Sequence, residues 1–429
     1  MNKKLAFVIY YHKHNIYSFN AIVGALETDK IIEDIDLFFL RNKEELFKGL
    51  KKIIKDYEKL VVGISFFTTQ LFEINNLMKI LKKNFKDKCL FVAGGPHPTG
   101  DPQGTLKIGF DIVIVGEGEE TIIELMKKIV LKEKFEDVVG ISYLGENGKY
   151  FYTGKRNMVN LNNYPPFPLI NTKFGAIEIT RGCPYVCYFC QTPYISGTQP
   201  RHRSVELITT YVKHLYNYYG DQTDIRFITP NSFSYGSHDG KELNLLKVEE
   251  LLSNIRELIG KKARIYFGTF PSEVRPEHVT NKSLELILKY TNNDNITIGA
   301  QSGSQKILDI CHREHSIEDI YNAVELTLKS NLKINVDFIF GLPQENEDDI
   351  KLTIEMMRNL ANMGARIHTH SFIPLPQTPF ATLPIDYVST RYKKAIKNLI
   401  SKGFAFGDWK KQETIAIKIS QYLRKSKLE

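Results

Sequence analysis

The sequence predicts an α/β protein: an N-terminal, Rossmann-like doubly wound sheet, then a partial (β/α)6 barrel of TIM type and a short, mainly helical C-terminal segment. Three observations carry that reading. Short apolar runs rich in β-branched residues alternate with longer helical patterns along almost all of the 429 residues. These runs fall into two sets, and a change of style divides the sets at a stiff, Pro-rich stretch, "NNYPPFPLI".

The first set reads "LAFVIYY" from Leu5, "IDLFFL" from Ile35, "VVGISF" from Val61, "LFVAGG" from Leu90 and "DIVIVG" from Asp111. Helical stretches such as "NKEELFKGLKKIIKDYEKL" separate several of them, as in an open parallel sheet that binds ligands beyond the carboxyl ends of its strands. "VVGISYLGENGKYFYTG" then reads as a hairpin with Glu146 to Gly148 in its turn. The second set begins with "GAIEIT" at Gly175 and continues with "DIRFITP" at Asp224, "RIYFGTF" at Arg264, "NITIGAQS" at Asn295, "INVDFIFGLP" at Ile334 and "RIHTHSFIP" at Arg366. Six βα units are too few for a closed eight-unit barrel, so the barrel stays open on one side, with its chemistry in the loops at the strand ends. The expected domains are residues 1–155, a linker at 156–172, the barrel at 173–380 and a helical segment at 381–429.

Composition sets limits on function. The chain is 42% apolar and 25% charged, as in an ordinary globular protein, and no apolar run is long enough to span a membrane. The start, "MNKKLAFVIYYHKHN", fits a buried first strand better than a signal peptide, so a cytoplasmic location is expected. A net charge of +8 without any arginine-rich block implies no nucleic-acid partner. Five cysteines in a chain of this size argue against a disulfide framework.

Three of the five, Cys183, Cys187 and Cys190, lie in "ITRGCPYVCYFCQTP", directly after the first strand of the second set. A structural zinc site wants four closed ligands, and the loop holds no fourth; His202 is the nearest alternative. Three thiolates on a four-iron cluster leave one iron open. The spacing Cys-x-x-x-Cys-x-x-Cys, with Phe189 just before the last cysteine, resembles the signature of the radical S-adenosylmethionine (SAM) superfamily. That resemblance implies a 4Fe-4S cluster on the three cysteines, SAM on the open iron, and a 5′-deoxyadenosyl radical that abstracts hydrogen. It also implies SAM contacts from Phe189, from Gln301, Ser302, Gly303 and Ser304 in "IGAQSGS", from Arg313 toward the carboxylate, and from Gly341 in "DFIFGLPQE" along the adenine. The third strand lacks the glutamate that many members direct at the methionine amino group, and Glu273 or a backbone group would take its place. Tyrosines of the cysteine loop and "SFSYG" (Ser232 to Gly236) are candidate lining.

In the first set, "SFF" at Ser65, "GGPHP" at Gly94 and "VGEGEET" at Val115 together resemble the cobalamin-binding domain that precedes many radical SAM domains. The residues carried over are Ser65, Phe67, Thr68, Gly94, Gly95, Gly116 and Glu117. The loop "YYHKHNIYSFN" lacks the Asp-x-His-x-x-Gly pattern of histidine ligation, so His12 and His14 read as surface or cofactor-tail residues and cobalamin is expected base-off and His-off. Phe66, Phe67, Thr68 and Thr69, in the loop facing the lower side of cobalt, include no strong ligand. The two resemblances together imply a cobalamin-dependent radical SAM methyltransferase of an archaeal-type subfamily, in which methylcobalamin supplies a methyl group to an unactivated carbon. The substrate is a small molecule or a protein, such as a glutamine of methyl-coenzyme M reductase, and an external one-electron reductant is implied. A non-methylating rearrangement or cyclisation, and a cobalamin sensor with a vestigial cluster, are the alternatives.

Overall fold

The computed structural model describes residues 4–385 and 387–426. The chain forms two compact units that divide between Gly175 and Ala176.

The first unit is built on one seven-stranded sheet. Its strands are β1 (Leu5–Tyr10), β2 (Ile35–Leu40), β3 (Leu60–Ser65), β4 (Cys89–Gly94), β5 (Ile112–Ile114), β6 (Ile141–Leu144) and β7 (Tyr150–Tyr152), in the order β2-β1-β3-β4-β5-β6-β7. The first five run parallel, and β6 and β7 add the expected antiparallel hairpin at the edge. Every residue of β3 is buried, as a central parallel strand covered on both faces requires. The order reverses between β1 and β3, so the crevice beyond their carboxyl ends is the natural ligand position. One face of the core packs Phe7, Ile9, Val61 and Ile112 against Val23, Leu26, Leu125 and Met126 of the helices Ile16–Leu26 and Glu119–Val130. The Pro-rich connector packs with this unit. Both carboxylate oxygens of Glu27 accept hydrogen bonds from its backbone, at Leu169, Ile170 and Asn171.

The second unit carries β8 (Ile177–Glu178), β9 (Thr180–Arg181), β10 (Arg201–His202), β11 (Asp224–Ile228), β12 (Arg264–Tyr266), β13 (Asn295–Gln301), β14 (Lys333–Phe340), β15 (Arg366–Ser371) and β16 (Ala405–Phe406). β8, β11 and β12 form one parallel sheet and β13 to β16 a second. An isolated parallel bridge between Val274 and Ile298 joins the gap between them. The barrel therefore has the six expected strands and a seventh, β16. That strand comes from the C-terminal segment, which the sequence presents as helical. The segment's two helices, Thr390–Ser401 and Trp409–Ser426, flank β16. No helix among the described residues is long and apolar enough to cross a membrane.

Candidate active site

The cysteine loop follows β9 and is fixed at both ends by backbone contacts. Gly182 sits at φ 91°, where a Cβ would come within 2.4 Å of the Gln199 carbonyl oxygen, so glycine is required for this close approach. The Cys183 amide donates to the Gly197 carbonyl (3.1 Å) and the Cys190 amide to that of Cys187 (3.0 Å). Tyr188 stacks on His312 with ring centres 4.2 Å apart, and its amide donates to the Cys311 carbonyl. The Arg275 guanidinium lies 3.4 Å from the centre of the Tyr185 ring, a cation–π contact inside the fold.

All three cysteines open onto one cavity of about 440 Å³, together with Glu178, Tyr185, Phe189, Thr229, Glu273, Arg275, Gly299, Gln301, Arg313 and Asp337. Burial pushes the Cys183 thiol up to about 11 and raises that of Cys190. Metal coordination replaces the lost hydration of the thiolate and releases the proton. Among the described residues, the one set of three or more Cys, His, Asp or Glu ligand atoms all within 4.8 Å of one another lies elsewhere, so the three thiols are spread more widely than one metal ion would hold them. His202 is not the missing fourth ligand. Its Nδ1 pairs with Thr180 Oγ1 (2.9 Å) and its Nε2 with the Ser237 carbonyl (2.7 Å), so both nitrogens are engaged. The cysteine geometry thus fits a cluster and not a closed zinc site.

Arg313 is buried beside the thiols. Its Nη2 donates to the Gly299 carbonyl (2.8 Å), its Nη1 lies 3.6 Å from Cys187 Sγ, and its Nε has no hydrogen-bond partner. Burial, the largest single influence, would lower the guanidinium pKa, but Cys187, Glu277 and Cys190 together outweigh it and hold the pKa above the usual value. A buried guanidinium with a spare donor is suited to an incoming carboxylate. Glu273 lines the same wall, and burial, with Asp337 adding, raises its pKa.

The structure divides the other SAM candidates. Phe189, Gln301 and Arg313 line the cavity, and Gln301 stands at φ 70° beyond a bulge in β13. Ser302, Gly303, Ser304 and Gly341 are not in its wall. A Cβ on Gly303 would meet Thr353 Cα at 2.5 Å, the Ser302 hydroxyl contacts that of Thr353, and the Ser304 hydroxyl donates to Asp349. These three residues lock the loop after β13 onto the helix Glu347–Met363. Gly341 accommodates φ 75°, and its amide donates to Glu345. "SFSYG" is core: Phe233 and Tyr235 are buried, and the Tyr235 hydroxyl donates to the Arg203 carbonyl. Tyr185, one of the cysteine-loop tyrosines expected as lining, is in the cavity wall, whereas sequence reasoning missed Thr229, Arg275 and Asp337 there. Asp337 was visible as the first residue of "DFIFGLPQE", whereas Arg275 had no pattern around it.

In the first unit the candidate cobalamin residues gather at the carboxyl ends of β3, β4 and β5. Ser65 ends β3; its hydroxyl is buried and has no partner, and a Cβ on Gly95 (φ 95°) would come within 2.5 Å of it. Gly94 and Gly116 face open space: a Cβ on either would have nothing within 4 Å. Thr68 is buried and pairs with His97 Nδ1 (3.2 Å), while Phe67 is exposed. Glu117 accepts a hydrogen bond from the Val159 amide. His12 stacks on Tyr10; its Nδ1 is buried without a partner, and burial lowers its pKa. Both carboxamide atoms of Asn15, in the loop after β1, are likewise buried and unpaired. An orphaned hydroxyl beside bare glycine backbone fits a large polar cofactor laid across the strand ends.

Comparison with known proteins bears on the two domains. Residues 177–357 match the Radical SAM superfamily, and residues 11–126 match the B12 binding domain. The chain is a radical SAM enzyme with a B12 binding domain ahead of its radical SAM domain. A radical SAM domain carries a 4Fe-4S cluster and SAM, and a B12 binding domain carries cobalamin. Among its relatives, an uncharacterised methyltransferase of Pyrococcus horikoshii is 27% identical over 327 residues, 73% of this chain and 67% of that protein. An uncharacterised protein of Methanocaldococcus jannaschii is 28% identical over 81% of this chain and 75% of its own length. The fold is similar to that of the radical SAM methyltransferase TsrM from Kitasatospora setae, solved with cobalamin and a 4Fe-4S cluster. The TM-score is 0.68 at 16% identity, covering 89% of this chain and 77% of that one.

Proposed function

We propose that the protein is a cobalamin-dependent radical SAM methyltransferase that methylates an unactivated carbon. The observation that carries this is the presence on one chain of two fitted sites: a three-thiol cavity walled by Arg313 and Glu273, and a glycine-backed cradle beside the orphaned Ser65 hydroxyl. The name of the Pyrococcus horikoshii relative and that of TsrM support the same reaction class.

When bound, the cluster supplies the electron that cleaves SAM to a 5′-deoxyadenosyl radical, and cobalamin carries the methyl group. The chain's own residues do the positioning. Cys183, Cys187 and Cys190 would hold the cluster. Arg313 takes the methionine carboxylate through its unpaired Nε, and Glu273 takes the amino group. Gln301 and Phe189 hold the nucleoside side of the cavity. In the first unit, Ser65, Gly94, Gly95 and Gly116, with Phe67, Thr68 and Glu117 around them, would hold cobalamin. A small molecule or a protein side chain is the methyl acceptor, and an external donor supplies the electron.

The test is an incubation of the fully loaded, reduced protein with trideuteromethyl SAM and an extract of cells lacking the gene. The expected result is a product that carries the label, with 5′-deoxyadenosine formed alongside. Formation of 5′-deoxyadenosine with an altered but unlabelled product would overturn methylation in favour of rearrangement or cyclisation.

A further inference from the structure

We propose that Asp337, His368 and His370 form a binding site for one divalent first-row metal ion in the barrel, separate from the cluster. Asp337 and His368 are register partners on β14 and β15, and His370 lies two residues further along β15. Side chains two apart on a strand, and those paired across parallel strands, point to one face, so all three converge. His368 Nδ1 lies 2.9 Å from Asp337 Oδ1 and 3.1 Å from His370 Nε2, and the three ligand atoms all fall within 4.8 Å of one another.

Those separations match adjacent positions around an octahedral ion, where bonds of about 2.1 Å place neighbouring donors about 3.0 Å apart. The donor set is two imidazoles and one carboxylate, which suits iron(II), manganese(II) or zinc and leaves positions free for other ligands. Proton placement points the same way. Gln412 Oε1 accepts from the Ser371 amide (2.9 Å), so its amide nitrogen faces His370 Nδ1 (3.3 Å) and leaves the His370 proton on Nε2. His368 Nδ1 then accepts that proton and meets Asp337 Oδ1 lone pair to lone pair. A cation between the three atoms removes this conflict by taking all three lone pairs; the His370 proton moves to Nδ1, and the 3.3 Å contact with Gln412 is given up while Gln412 keeps its bond to the Ser371 amide.

The surroundings hold the rings in place. His368 stacks on Phe406 of β16, with ring centres 4.4 Å apart and planes at 9°. Asp337 also lines the cavity, so the remaining coordination positions are open to an oxygen or nitrogen donor there. Glu273 shares that wall.

The site is tested by equilibrium dialysis of chelator-washed, cluster-loaded full-length protein against zinc, followed by metal counting. One zinc per chain is expected, falling more than about a hundredfold in affinity in His368→Ala and His370→Ala, and in the near-isosteric Asp337→Asn. Unchanged iron content and melting temperature in each variant exclude misfolding, and crystals grown with zinc should show anomalous scattering between the three residues. Absence of bound zinc, or equal zinc in wild type and all three variants, would overturn the site. None of these readouts depends on methyl transfer, so the two proposals fail separately.

Discussion

At the residue scale, the site is made by side chains whose burial sets their protonation. Glu345, at the end of the "DFIFGLPQE" stretch, shows the consequence for stability. Burial pushes its carboxyl up to about 7, although it accepts hydrogen bonds from the Tyr392 hydroxyl (2.6 Å) and the Gly341 amide. The folded protein therefore keeps a proton that the unfolded chain has lost above its ordinary carboxylate value. The resulting stability is fully present below that value and is lost as pH rises through about 7. The loss is about 3 kcal/mol at most. Urea midpoints of wild type should fall between about pH 5 and pH 8, and those of Glu345→Gln should fall less. Parallel profiles would show that Glu345 titrates normally. The residues legible in sequence were those whose spacing is itself the chemistry: the three cysteines, and Arg313 twelve positions after Gln301. Tyr185 was legible as a tyrosine of the cysteine loop, but Arg275 was not, because its contact with Tyr185 joins distant loops through a cation–π geometry that leaves no local pattern.

At the element scale, periodicity located the strands but not all of the roles of the turns between them. All five parallel strands of the first unit, its hairpin, and the six expected strands of the second appear where apolar runs predicted them. β16 escaped because two residues, Ala405 and Phe406, are too short to show alternation. The loop after β13 carries a different lesson. Its small residues look like room for a nucleoside, yet Gly303 is small because the backbone of the helix Glu347–Met363 passes directly over it. Gly303→Ala places a methyl group 2.5 Å from Thr353 Cα. Overpacking against backbone should cost about 1–3 kcal/mol, read as a lower melting temperature. An unchanged melting temperature would mean that this loop is free to move off the helix.

At the scale of the whole molecule, the proposed function requires that one chain hold two cofactor sites serving one reaction. The pairing of domains was legible because each contributes its own strand-end motifs; the acceptor of the methyl group was not, because nothing in the cavity wall forms a local sequence pattern for it. The most direct measurement needs no acceptor. Protein loaded with cluster and reduced cobalamin is mixed with trideuteromethyl SAM, and the cobalamin and nucleosides are analysed by mass spectrometry. Label should be recovered with the cobalamin and an equal amount of S-adenosylhomocysteine, both lost in Gly95→Ala, where the added methyl would strike Ser65 Oγ at 2.5 Å. Unlabelled cobalamin and background S-adenosylhomocysteine, with 5′-deoxyadenosine still formed, would contradict the proposed function.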